Sequence, residues 1–152
     1  ATIMDIFTRE IIGFSVSNRH GVPLVVNALL SALNLRAPPE LLHSDQGREY
    51  TSKTYTTLVS MFKIFISMSR RASPWENGYQ ESFYSQFKVD LGDPNRFDNL
   101  GELVAEIHDT IKIYNHDRIH TSLKMSPRQF AQLNAILNSS INSGCQGTEK
   151  VS

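Results

Sequence analysis

The sequence predicts an α/β domain, and three observations carry that expectation. Short runs of β-branched and aromatic residues alternate with longer stretches whose apolar residues recur at helical spacing. The first of these runs fall in the order strand, helix, strand, which is the α/β unit. With 152 residues, 40% hydrophobic and 20% charged, the chain has material for one good core and hardly two.

The opening A-T-I-M-D-I-F-T-R-E-I-I-G-F-S-V-S predicts strands over Ala1–Phe7 and Glu10–Ser17, joined by a tight turn at Thr8–Arg9. Residue 1 already reads as strand, so the chain is expected to be cut at its N-terminus. Pro23 suits the first turn of a helix, and Leu24, Val25, Ala28, Leu29, Ala32 and Leu33 give that helix a core face ending near Leu35. Ala37-Pro38-Pro39 stops it. Leu41–Ser44 then reads as a buried strand that delivers Asp45 to its tip, with Gly47 turning the chain away.

Ser52 is a credible cap for a helix carrying Tyr55, Leu58, Val59 and Phe62, after which I-F-I-S-M-S returns to strand composition. Arg70–Asn77 is polar, interrupted by proline and holds the only tryptophan, Trp75. Such a loop reads as a mobile element or a DNA-contacting arm, with Trp75 either stacking on a base or anchoring the loop. Asn77 can cap a helix that places Tyr79, Phe83 and Phe87 on one face. The turn L-G-D-P-N-R-F ends it. An amphipathic helix follows over Asn99–Tyr114, and Ser126-Pro127 starts a last one with Phe130 and Leu133 inward. The Ser/Asn/Gly-rich end has little to bury, which divides the chain into a core over 1–137 and a disordered tail over 138–152.

Two acids carry the chemistry. A strand-tip aspartate, Asp45, and a helical glutamate, Glu81, separated by 35 residues, can converge on a divalent cation. Hard cations such as Mg²⁺ take oxygen ligands, and phosphoryl-transfer sites hold them with carboxylates. Taken singly, Asp45 also reads as a turn cap and Glu81 as a solvated helix residue. Lys88 follows Glu81 by seven residues, two turns or roughly 10 Å, so an ammonium shares the glutamate's face. His43 lies two residues before Asp45 and is a candidate to support it; His20 reads as structural.

Charge is silent about partners. The net charge is zero, with five basic and five acidic residues over 1–60 and nine of each over 61–130. A basic footprint for nucleic acid therefore depends on how Lys63, Arg70, Arg71, Lys88 and Arg96 are arranged in space. No apolar run approaches the ~20 residues of a membrane span, so no membrane partner is expected. The single Cys145 cannot form an internal disulfide and fits a reducing cytoplasm.

The words H-S-D-Q-G, S-M-S-R…N-G…E-S-F…K and Y-N-H-D-R-I-H…L…S-P-R-Q-F, in that order, resemble the catalytic core of bacterial insertion-sequence transposases. These belong to the retroviral-integrase (rve, DDE) superfamily, and the resemblance runs from about Ala1 to Leu133. It implies a ribonuclease H-like fold, a mixed β-sheet flanked by α-helices. It makes Asp45 and Glu81 catalytic metal ligands for two Mg²⁺ (or Mn²⁺) ions in the complete enzyme, Lys88 a phosphate contact, and DNA the partner of a homo-oligomer. It also implies a loop before the glutamate helix that moves over the site. The family's first aspartate belongs to a first strand that this chain lacks. Asp5 matches the family's second strand instead and reads as structural.

The leading expectation is thus metal-dependent DNA strand cleavage and transfer. Whether this chain is itself an enzyme is left open by the lacking acid. A non-catalytic DNA-binding or self-associating remnant and a ribonuclease H-type nuclease are the alternatives.

Overall fold

The computed structural model describes residues 1–70 and 78–144, with side chains through Ser140. The first two strands, β1 (Thr2–Met4) and β2 (Ile11–Phe14), form an antiparallel hairpin shorter than the sequence predicts. Asp5 is the reason. Its Oδ1 accepts the backbone N–H groups of Phe7 (2.9 Å) and Thr8 (3.2 Å), and its carbonyl accepts Arg9 N–H (2.7 Å). These bonds draw residues 6–8 into a turn and put Arg9 at φ 64°. The ladder register also slips between Ile3 and Met4. Ile11 and Phe14, three apart, therefore both join the side facing the later helices.

Gly13 looks the other way. A Cβ there would lie 2.5 Å from Ala32 N and 2.6 Å from Ala28 O, so only glycine lets helix α1 (Val22–Leu35) press onto the hairpin. Val25, Ala28, Leu29 and Ala32 form the buried face of α1, as their spacing predicts. Beyond it, β3 (Leu41–Ser44) pairs in parallel with β4 (Phe65–Met68), and α2 (Lys53–Met61) connects them. Ser52 caps α2, its hydroxyl accepting Tyr55 N–H at 3.3 Å. Val25, Leu29, Tyr55, Val59 and Ile64 make one core cluster, on which Leu42 packs.

Among the described residues the four strands form two separate pairs, β1–β2 and β3–β4, where the resemblance implied one mixed sheet. The reason lies in the ladder bonds: β1 and β3 each use one edge, and no bond joins them.

Three helices complete the fold: α3 (Gly78–Leu91), α4 (Leu100–His116) and α5 (Pro127–Gly144). Asn99 caps α4 reciprocally, accepting Glu102 N–H at 3.0 Å while its amide donates to Glu102 Oε1 at 2.8 Å. Phe83, Ile111 and Tyr114 close on Ile11 as a second core cluster.

Three expectations change. Tyr79 is 57% exposed instead of sharing Phe83's burial; the Arg9 guanidinium lies over its ring at 3.4 Å. Leu133 is also exposed, because α5 leaves the body after its first turns. The tail expected to be disordered from Asn138 is helical to Gly144, and the hydroxyls of Ser139 and Ser140 donate back to Ile136 O.

Candidate active site

Asp45 follows directly on β3, exposed, with Oδ1 accepting Gly47 N–H at 2.9 Å. That bond makes it a turn cap while leaving its other oxygen free to face solvent, so the two readings of this acid are compatible. Glu81 sits in the first turn of α3, and Lys88 in the last turn of the same helix; both are exposed. An acid in the first turn and a cation in the last both suit the helix dipole, so the helix is stabilised by the side chains it presents. Among the described residues, no hydrogen bond or ion pair occupies the Glu81 carboxylate.

Tyr50 stands five residues after Asp45 and packs on the core cluster of Val25, Leu29, Tyr55, Val59 and Ile64. Burial, together with the nearby Asp45 carboxylate, Tyr84 and Glu49, pushes its phenol up to about 12. Tyr84 lies three residues after Glu81 on α3, so Tyr50 stands within electrostatic reach of both the β3 tip and the glutamate's helix. Tyr50 meets Tyr55 edge-to-face at 5.3 Å, and the Tyr55 hydroxyl is buried with no hydrogen-bond partner among the described residues. On the β1 side, Thr2 Oγ1 donates to Tyr84 Oη at 3.1 Å and accepts from the Gln80 amide, fastening the start of α3 to the first strand. Sequence reasoning passed over Thr2, Tyr50, Gln80 and Tyr84. Their partners are up to 82 residues away, and no local period signals them.

His43 is engaged at both ring nitrogens. Nδ1 lies 2.9 Å from Ser67 Oγ and Nε2 lies 3.1 Å from Ser69 Oγ, while Gln46 Nε2 donates to Ser69 O at 3.2 Å. These bonds tie the residues flanking Asp45 to the end of β4, from which Arg70 emerges, exposed. Arg71, Trp75 and Asn77 lie outside the described residues. His20 Nδ1 donates to the Glu49 carboxylate at 3.0 Å.

The Y-N-H-D-R-I-H segment is structural where it is described. Asn115 is buried and mimics a neighbouring strand, its Oδ1 accepting Ile11 N–H and its Nδ2 donating to Ile11 O, both at 2.9 Å. Arg118 pairs with Asp90. Burial, then the charges of Arg9 and Arg118, hold His120 below the ordinary imidazole value.

Oxygen donors are what a hard divalent cation takes, and Asp45 and Glu81 offer only oxygen at solvent-accessible positions. The donor set fits Mg²⁺ in kind. It is short in number: among the described residues no group of three or more His, Cys, Asp or Glu is placed to hold a metal.

Two family models, each an integrase core domain, match residues 1–74 and 63–127. The transposase for insertion sequence element IS904 of Lactococcus lactis is 34% identical over 139 residues, 89% of this chain and 55% of that protein. Transposase InsF for insertion sequence IS3A of Escherichia coli is 30% identical over 138 residues, 88% of this chain and 48% of that protein. The chain thus spans about half the length of the curated relatives it matches. Among solved structures, the HTLV-2 integrase catalytic core domain in complex with magnesium superposes with a TM-score of 0.66 at 16% identity, covering 84% of this chain and 80% of that one. The catalytic core domain of BIV integrase gives 0.64 at 17% identity, covering 82% and 80%. These likenesses show the fold, which is that of the ribonuclease H-like integrase cores. No described helix is long and apolar enough to cross a membrane. The chain belongs to the integrase core domain family, in the branch carried by insertion-sequence transposases.

Proposed function

We propose that this chain is the catalytic core of a transposase that cuts and joins DNA at phosphodiester bonds, with Asp45 and Glu81 as its metal-binding acids. What supports the reading is the pair of exposed carboxylates, Asp45 directly after β3 and Glu81 in the first turn of α3, in a chain that integrase core domain models match. A divalent cation bound there, Mg²⁺ or Mn²⁺, supplies charge neutralisation at the phosphate undergoing attack. Asp45 contributes the oxygen that Gly47 leaves uncommitted, and Glu81 its whole carboxylate. Lys88 presents its ammonium on the same helix and serves as a point charge for a DNA phosphate. Arg70, which follows β4, and Arg71, next to it in the sequence, are further cations for the backbone of the DNA, which is the partner expected of this core. His43 keeps the β3 tip in register with β4 and so positions Asp45.

The complete site needs one more acid. We place it on a further strand between the unbonded edges of β1 and β3. The division of the strands into two pairs and the orphaned Tyr55 hydroxyl support that placement. In this reading Asp5 stays structural, since its carboxylate is spent on the hairpin turn.

The test is Mn²⁺-dependent nicking and end-joining of supercoiled DNA by this chain, alone and with an upstream strand carrying an aspartate. Turnover only with the added strand, lost in Asp45→Asn and Glu81→Gln by 10²-fold or more, is the expected outcome. Turnover by the chain alone would return Asp5 to the site. No turnover in any form would favour the non-catalytic alternative, to which the open strand edges lend some weight. Cutting of RNA–DNA hybrids alone would instead favour a ribonuclease H-type nuclease.

A further inference from the structure

We propose that Arg9 is a positioning residue for Glu81: from the turn of the β1–β2 hairpin it grips Tyr79 and so fixes the first turn of α3, from which the glutamate projects. This use of Glu81 rests on the proposed function.

Arg9 holds a backbone that its type disfavours. At φ 64° it lies in the left-handed region, which glycine and asparagine fill more readily than a long side chain. The bonds that Asp5 makes to Phe7, Thr8 and Arg9 keep it there. Lys63 and Lys124 share that conformation, at φ 57° and 59°, and both are exposed, whereas Arg9 is half-buried. Its Nε and Nη1 are closed to solvent and have no hydrogen-bond partner among the described residues. Its guanidinium carbon lies 3.4 Å from the centre of the Tyr79 ring. A guanidinium cannot lose its proton in a protein, so this partly desolvated cation is held by the face of an aromatic ring. A planar guanidinium can lie flat on that face, which an ammonium cannot.

Tyr79 is the second residue of α3 and Glu81 the fourth. Helix ends fray, and among the described residues the core clusters take up α3 only from Phe83 onward. Two contacts reach further forward: Arg9 on Tyr79, and Thr2, whose hydroxyl accepts from the Gln80 amide. Successive helical residues turn by about 100°, so Glu81 stands roughly 200° round from Tyr79. With Tyr79 drawn to the hairpin, the carboxylate is turned outward, and it is exposed. Tyr79 is itself 57% exposed and adds little to the core. What the contact adds is a fixed direction for the residue two places on. Misplacing a reacting group by about 1 Å can cost on the order of 10²-fold in rate, so such a clamp matters more to the site than to the fold.

The experiment follows hydrogen exchange along α3 and Mn²⁺ binding, both on the full 152-residue chain without DNA. Arg9→Asn removes the cation but suits the left-handed backbone, Tyr79→Leu removes the ring, and Tyr79→Phe keeps it. In a helix the amides of Ser82 and Phe83 bond back to the carbonyls of Gly78 and Tyr79, and so report on the first turn. Their exchange is expected to rise at least fivefold in Arg9→Asn and Tyr79→Leu and to stay within twofold in Tyr79→Phe, with Phe87 and Lys88 unchanged in all three. The Mn²⁺ concentration at half-saturation, read by electron paramagnetic resonance, is expected to rise at least threefold in the same two variants. Unchanged exchange in Arg9→Asn overturns the proposal. So does a rise in Tyr79→Phe equal to that in Tyr79→Leu, or a rise spread evenly over the helix, which would mark a role in stability alone. Faster exchange with unaltered Mn²⁺ binding also overturns it where Glu81→Gln weakens that binding. If neither Glu81→Gln nor Asp45→Asn weakens it, the metal reading of the two acids fails, and exchange alone decides whether Arg9 sets the glutamate's turn.

Discussion

The two strand pairs of this protein are built to opposite standards. The β1–β2 hairpin is covered on both faces, by α1 against Gly13 and by α3 and α4 against Ile11 and Phe14, and the Asn115 amide closes its outer edge. The β3–β4 pair packs on the core through Leu42, while Leu41 and Phe65 stand exposed on its other face and β4 has a bare edge. Asp45 rises from the second pair. The enclosed part of the molecule is thus the platform, and Asp45 is carried by the part whose backbone is least enclosed among the described residues, which leaves room for the strand, cation and DNA of the proposed function.

Five substitutions would break or sharpen this contrast. Asn115→Leu should have the largest effect, since it leaves both the N–H and the C=O of Ile11 buried without partners; a loss of about 2–4 kcal/mol in urea unfolding is expected. Next is the alkaline limb of stability. The Tyr50 phenol is raised in the folded state above its unfolded value of about 10, so its contribution is complete below pH 10 and is lost as pH climbs toward about 12. Tyr50→Phe should flatten that limb in pH-dependent unfolding, and Asp45→Asn should move the Tyr50 titration downward without returning it to 10, because burial is the larger cause. Removing a cap on the β3–β4 side has a smaller expected effect: Ser52→Ala should cost about 1 kcal/mol by thermal unfolding, through loss of the bond to Tyr55 N–H. Smallest is Phe65→Ser, whose side chain is already in water; a change within about 0.5 kcal/mol is expected. A large loss there would mean that the β3–β4 pair is held from both faces after all, and the contrast would fail.

Local signals were readable wherever their cause was local. The Ser52 cap, the proline at the head of α1 and the glycine that follows Asp45 each act within a few residues, and all stand where the sequence puts them. Pairing is different. Nothing in Thr2–Met4 or Leu41–Ser44 says that these strands would not bond each other, because a ladder is a property of two segments and the space between them. Tyr79 shows the same limit on a smaller scale: its spacing from Phe83 predicts a shared face, yet whether that face is covered depends on the hairpin turn, which supplies Arg9 instead of a core. The places of Asp45 after β3 and of Glu81 and Lys88 on α3 were legible, whereas the surroundings of Tyr50 are set by burial, by Asp45 and by Tyr84, 34 residues on. The helical residues 138–144 escaped notice because serine and asparagine are poor helix formers when exposed; here the serine hydroxyls bond back to the preceding turn.

Glu10 has a consequence for how the chain is made. Its buried carboxylate receives Arg36 from the end of α1 and, at 2.7 Å, Arg128 from the first turn of α5, while the next residue in the chain, Ile11, waits for Asn115. During synthesis Arg36 follows the hairpin by 26 residues, whereas Asn115 and Arg128 reach Ile11 and Glu10 from 104 and 118 residues further along the chain. At 5–20 residues per second the nascent hairpin has Arg36 but waits roughly 5–20 s for Asn115 and Arg128. The platform on which the site rests is therefore locked late, and a chain released before Arg128 would lack α5 and the second cation on Glu10 while keeping the Arg36 and Asn115 ties.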